Sequence, residues 1–430
     1  MRNRYVDLLR FLAIIRVVVY HTTGWAFLTI AFPAMSVMFA LGGSLMAASL
    51  DRSGAGAVGR RLRRLLPSLW LLAAFFVPAM LLTGLPVSWR LLFWAAPIAD
   101  PPSNGWGALA LSAIWYLRDY LWFVLASPLA LWLFRRFPLP TLAAPYVLLV
   151  VVELWFPTAP IVVRDFGLYF GAWLIGFAHH DGLLRRIPRR VLIPVAGTLA
   201  ALGAAWFLTH PGPRGFDLND IRLGNGLWSA GFTLLLLGLA PAGAAWVDRN
   251  EILGRAVTVL NRRALTVYLW HMPIVIGLTA LMAWAGWKQT DLTGVTVRLV
   301  VVATLVALAT GLFGWMEDLA ARRRTVLLPG GETAARPRDG TAVPGGGDGR
   351  SRPDRTGGAD PAAPGAEQPI APAPEPAASP APAAGPVRPV RPTRPAIPIQ
   401  RTGPANGRGS ADRGGPARPQ ETVDRDRIRR

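Results

Sequence analysis

Stretches of roughly twenty apolar residues, the length that spans a bilayer as helix, recur along the chain until about residue 316. Inside hydrocarbon every backbone N–H and C=O must be bonded within the protein, so segments of this length cross as helices. The runs lie near 8–30, 33–50, 65–83, 112–134, 141–157, 166–180, 191–209, 226–247, 264–285 and 295–316. The expected fold is all-α, a polytopic membrane bundle of about ten helices. No cleavable leader is expected, because the first apolar run continues into the polytopic pattern.

The basic residues test the number of spans independently. With a cytoplasmic amino terminus, 20 arginines fall in inner segments, among them Arg2, Arg4, Arg52, the Arg60–Arg64 cluster, Arg135, Arg136 and Arg322–Arg324. Arg185, Arg186, Arg189, Arg190, Arg249, Arg255, Arg262 and Arg263 complete the set. Six basic residues fall outside: Arg90, Arg164, Arg214, Arg222, Lys288 and Arg298. Basic residues favour the cytoplasmic side, so the alternation supports ten spans in a cell membrane with both termini inside. The same pattern accounts for the net charge of +20 without nucleic acid as a partner, since the charges alternate with spans instead of forming one soluble patch. With no cysteine in the chain, disulfides, thiolate metal sites and cysteine nucleophiles are excluded.

The composition changes near Leu328. Of 39 prolines, 20 lie between Pro329 and Pro419, and no tryptophan follows Trp315. A Pro/Ala/Gly/Arg-rich segment cannot bury enough apolar surface to offset its ordering entropy. The division expected is therefore a membrane domain over 1–325 and a disordered cytoplasmic tail over 326–430. P-x-x-P sequences in the tail suit a soluble partner with an aromatic groove; an inert extension is the simpler reading.

Ionisable groups at membrane depth are costly and concentrate at functional sites. In the first span, Arg10 and His21 share a helical face within about 20° and lie about 16 Å apart along the axis. Asp7 and Ile14 share that face and Arg16 does not. Arg61 and Arg64, neighbours on a helix, place two guanidinium forks at an inner membrane boundary, where they suit a phosphate-bearing ligand. Arg118 and Asp119 open the fourth apolar run, where they either meet a substrate or neutralise charges on other helices. Glu153 is a lone acid in the fifth span and a candidate partner for Arg16 or Arg118. Tyr268 and His271 lie in the ninth span with Pro273; His271 reads as a core histidine bonded to a neighbouring helix, or as part of a substrate site. His179, His180 and Asp181 end the sixth span without the spacing of a metal site, so no metal is expected.

Taken in order, these residues resemble a family. Asp7-Leu8-Leu9-Arg10 with His21 is similar to the first-helix signature of the integral-membrane type-three acyltransferases. Phe39 to Leu45 resembles that family's glycine-rich second helix, with Gly42-Gly43 where Ser-Gly is commoner. Arg61 to Pro67 is similar to its Arg-x-x-Arg-x-x-Pro element, and Trp115 to Tyr120 to its Trp-aromatic-Leu segment. Gly171 to Gly176 and Tyr268 to Pro273 resemble two later helices. Arg118-Asp119 stands where many relatives carry a glutamate shortly afterwards.

The resemblance implies transfer of an acyl group, usually acetyl, from cytoplasmic acyl-CoA (acetyl-CoA) to a hydroxyl of a carbohydrate or glycan acceptor, with no permanently bound cofactor. The family histidine maps to His21 as base or acyl carrier, with Asp119 or Glu153 as the candidate to orient it. The family arginine maps to Arg10. Arg61, Arg64, Arg118, Tyr268 and His271 are then the expected substrate-binding residues. The competing class is a secondary transporter or flippase for a lipid-linked sugar, but the two halves show no matching broken helices of the transporter kind.

Overall fold

The computed structural model describes residues 4–241, 244, 246–287 and 291–325. The predicted disordered tail, Arg2 and Lys288 lie outside the described residues. Among the described residues the regular elements are helices, joined by one isolated bridge between Gly212 and Gly215.

Ten long helices carry the architecture: α1 (Arg4–Thr23), α2 (Ala34–Ser53), α3 (Gly56–Leu82), α4 (Ile114–Arg136), α5 (Pro138–Trp155), α6 (Ile161–His180), α7 (Arg189–Thr209), α8 (Arg222–Gly238), α9 (Ala264–Trp284) and α10 (Leu292–Phe313). Eight of the ten are long and apolar enough to cross a membrane. The other two are α1, which carries Arg4, Asp7, Arg10 and Arg16, and α8, which is 17 residues long. The chain is a membrane protein with an all-α fold, as its apolar rhythm indicates.

Helix ends follow local chemistry. Gly24, with φ +71°, stops α1 at Thr23. The predicted eighth span reaches 247, yet α8 stops at Gly238, shortly before Pro241. In the other direction, α3 starts at Gly56, well before its apolar run, so Arg60–Arg64 are helical. A π-turn at Phe166–Phe170 interrupts α6; such local widening re-aims the side chains around it.

Helices α2, α4 and α6 form the buried centre, while α3, α5, α7 and α10 expose most of their apolar side chains, as lipid-facing helices do. The α2–α6 crossing depends on glycine. A Cβ on Gly43 would meet the Trp173 carbonyl oxygen at 2.1 Å, and one on Gly176 would meet that of Ala40 at 2.0 Å. Small residues permit such backbone approach where lipid supplies no hydrophobic drive between helices. The Gly42-Gly43 pair thus has a packing reason. Helix α1 lies against α2, α9 and α10, which places its polar residues inside the bundle.

Candidate active site

The polar side chains of α1 divide between two cavities. Arg10 lines one of about 510 Å³, and His21, about three turns further on, lines another of about 380 Å³. Between them Ile14 is buried among Val267, Val275, Val302 and Val306, so one helix connects two polar chambers through an apolar waist.

The Arg10 chamber is strongly cationic. Arg52, Arg60, Arg61, Arg64, Arg262 and Arg323 also line it, with the tyrosines Tyr116, Tyr120 and Tyr268 at its inner end. Arg61 is held in place: it donates to the Tyr120 hydroxyl at 3.3 Å, the Leu45 carbonyl at 3.0 Å and Ser49 Oγ at 3.3 Å. Arg64 is exposed within the same wall. Guanidinium groups from several helices on one concave surface suit a ligand with several phosphates. Arg52, Arg60, Arg262 and Arg323 join this wall although sequence assigned them only to topology; their density near Arg61 and Arg64 was the available signal.

The His21 chamber has a different chemistry. Arg16, Tyr20, Trp115, Tyr169 and the loop residues Arg214 and Asn219 line the cavity with His21. Arg16 donates through Nε to the Leu28 carbonyl at 2.9 Å and lies 4.9 Å from the Tyr20 ring centre. Tyr20 donates to Asp217 at 2.5 Å and accepts from Arg214 at 2.9 Å, fastening the 210–221 loop beside His21. Arg214 also makes a bidentate pair with Asp220, at 2.9 and 2.7 Å, which holds that carboxyl below its usual range. Trp115 and Tyr169 stack, rings 5.4 Å apart. Aromatic platforms with fixed polar groups can hold a polyhydroxylated molecule. The sequence reading missed Arg16, Tyr20 and Tyr169 as chamber residues, since their roles depend on neighbours distant in sequence.

Tyr268 joins the two chambers; among the described residues it lines both cavities. One turn later, the fully buried His271 stands with its ring centre 5.3 Å from that of His21. His271 Nδ1 contacts the Tyr268 carbonyl at 2.5 Å. A carbonyl only accepts, so Nδ1 carries the proton and Nε2 keeps its lone pair. That Nε2 atom has no partner among the described residues.

Residues 3–314 match the family model described as an acyltransferase domain. The chain belongs to that family, the type-three acyltransferases. No curated protein and no solved structure matches it. The match favours the acyltransferase reading over the transporter one. It ends at Gly314, so the segment that brings Glu317, Ala321 and Arg323 to the cationic chamber follows the matched region.

Some predicted site residues take other positions in this acyltransferase. Arg118 is 1 % exposed and its guanidinium is engaged by three carboxylates: Asp100 at 2.5 Å, Asp119 at 2.9 Å, and Asp165. It reaches the wall of the His21 chamber as a charge anchor, with little capacity left for the substrate binding expected of it. Asp119 accepts from Arg118 through Oδ1 at 2.9 Å and does not line the chamber. Among the described residues His21 has no carboxylate hydrogen-bond partner, so the expected orienting role of Asp119 has no contact behind it. Glu153 lies 3.5 Å from Arg164 and 3.9 Å from Arg222, away from its expected partners Arg16 and Arg118. Arg263, read only as an inner-segment charge, is 1 % exposed and pairs with buried Asp318 at 2.7 Å. Asp51, His180 and Asp181 converge, and Arg135 bridges both aspartates at 2.7–3.0 Å.

Proposed function

We propose that the protein transfers an acyl group, in the first instance acetyl, from acyl-CoA in the Arg10 chamber to a hydroxyl of a carbohydrate or glycan acceptor in the His21 chamber. The observation that carries this reading is the division of α1: a cationic cavity at Arg10, a hydroxyl-compatible cavity at His21, and Tyr268 between them. The nucleotide phosphates of the donor rest on Arg61, Arg64 and their neighbours, and the thioester arm extends along α1 towards His21.

The acceptor oxygen attacks the thioester carbonyl carbon while its proton passes to the neutral imidazole of His21. The tetrahedral intermediate collapses with rupture of the C–S bond, and the departing thiolate takes the proton back, leaving an ester and free CoA. His21 is also placed to carry the acyl group transiently on nitrogen before the acceptor attacks. Rapid-quench detection of an acyl-imidazole separates the two routes.

The arginine bias supports a cytoplasmic side for both termini and the Arg10 chamber, where acyl-CoA is available. The experiment is direct: purified protein with acetyl-CoA is assayed for free CoA, with and without a panel of glycan acceptors. Acceptor-stimulated CoA release is expected. Absence both of CoA binding and of CoA release with every acceptor would reject this reading.

A further inference from the structure

The two chambers of the proposed reaction are separate cavities that share one lining residue, Tyr268, and that side chain has a defined attachment. Tyr268 is 6 % exposed and its ring lies 4.9 Å from the Tyr116 ring and 5.5 Å from that of His271. Its hydroxyl donates at 2.8 Å to the carbonyl of Ala113, the residue preceding α4 and part of the His21 chamber wall. Tyr268 thus spans from α9 to the start of α4, one side facing the arginines and the other the histidine. A single neutral hydrogen bond fastens it.

Resting on the two-chamber reading above, we propose that Tyr268 is the partition that decides whether the donor thioester meets acceptor or water. Fastened to Ala113, it keeps the chambers apart. Released, it lets the acyl arm pass to His21 and then closes behind it. Without the partition, water from the His21 side reaches the thioester in the absence of acceptor. The water oxygen attacks the carbonyl carbon, the C–S bond breaks, and the products are the free carboxylic acid and CoA thiol.

The cysteine-free chain allows a test that requires neither donor nor acceptor. Ser112→Cys places one thiol in the His21 chamber, where Ser112 is exposed. Sealed vesicles, oriented with the face carrying Arg60, Arg61 and Arg64 outward, are treated with a charged, membrane-impermeant methanethiosulfonate. With Tyr268 present, labelling from that face is slow. Tyr268→Phe keeps the ring and removes the attachment, so labelling should accelerate about five- to tenfold, the population shift that one neutral hydrogen bond supports. Tyr268→Ala should accelerate it further. Acceptor-free CoA release from acetyl-CoA should rise in the same order.

Equal labelling rates in Tyr268, Tyr268→Phe and Tyr268→Ala proteins of matched folding would overturn the partition, even if acetyl-CoA turnover is normal. Faster labelling in both variants with no CoA binding or release in any protein would support the partition and remove acyl-CoA as the donor. The phenylalanine variant serves where the alanine variant fails to fold.

Discussion

The imidazoles of His21 on α1 and His271 on α9 lie 5.3 Å apart, ring centre to ring centre, yet they have unequal surroundings. His21 lines a cavity of about 380 Å³, whereas His271 has no exposed surface and is tied through Nδ1 to its own helix. The cavity-lining ring is the one positioned to exchange a proton with an acceptor. His21→Ala is therefore expected to lower kcat by about 10²–10⁴-fold, the usual range for a positioned proton-transfer group. His271→Ala should have a smaller effect on kcat and a larger one on thermal stability, because it empties a buried site. Near-normal turnover of His21→Ala, at matched amounts of folded protein, would eliminate the proposed role of this histidine.

Arg64 is exposed on the wall of the cationic chamber, while the nearby Arg61 is held by three hydrogen bonds to its own bundle. Charge-assisted phosphate contacts contribute about 1.5–3 kcal/mol each, so Arg64→Ala should raise the acetyl-CoA KM about tenfold or more with kcat little changed. Arg61→Ala should raise KM and also lower stability, since it releases α2 and α4 contacts. A titration of the Arg64→Ala protein with acetyl-CoA that gives the wild-type KM would move the donor phosphates elsewhere.

Most helices were legible because apolar length is a local property, read within some twenty residues. The separation of Arg10 from His21 was legible for a related reason: spacing along one helix fixes face and depth. That Arg118 could neutralise charge on another helix was legible, but the identity of the partners was not. Arg118 meets Asp165 from α6 and Asp100 from the loop before α4, and Glu153 meets Arg164 and Arg222, contacts set by how helices pack. Arg263 shows the same limit, since in sequence it matches the other inner arginines and only packing with Asp318 removes it from solvent. Tyr268 was legible as a substrate-binding candidate, but its place between two cavities emerges only from the packing of the helices.

Close packing at the α2–α6 crossing gives a stability prediction. An alanine methyl at Gly43 or Gly176 meets backbone oxygen, which cannot rotate aside as a side chain would. Overpacking of this kind costs roughly 1–3 kcal/mol, so either Gly→Ala change should lower the melting temperature measurably. Gly277→Ala, where nothing lies near the added carbon, is the control and should be neutral or slightly stabilising. An unchanged melting temperature for Gly43→Ala would mean that the two helices are not in contact at this depth.

The arginine alternation predicts orientation. Reporter fusions after Ser53, Arg136, Arg186 and Asn250 should report the cytoplasm, and fusions after Ala159 and His210 the opposite side. Reversal at any two of these positions would refute the ten-span topology and require the chambers to exchange sides.

The segment after the family match gives the last prediction. Helix Trp315–Ala320 is fixed from the start of α9 and the residue before it: Arg263 donates to the Gly314 carbonyl at 2.5 Å and pairs with Asp318 at 2.7 Å, while Glu317 accepts from the Thr266 amide at 2.7 Å and its hydroxyl at 2.6 Å. Through it Arg323 joins the cationic chamber. Truncation after Phe313 therefore leaves the buried Arg263 without its carboxylate, a loss of roughly 3–5 kcal/mol for a broken buried pair. It also removes one wall of the proposed donor site. Truncation after Arg324 keeps all of these contacts and removes only the proline-rich tail. Thermal unfolding and acetyl-CoA binding should accordingly separate the two proteins, with the longer one equal to the full chain. If the Phe313 truncation matched it in both measurements, the segment would be dispensable and Arg323 would not belong to the donor site.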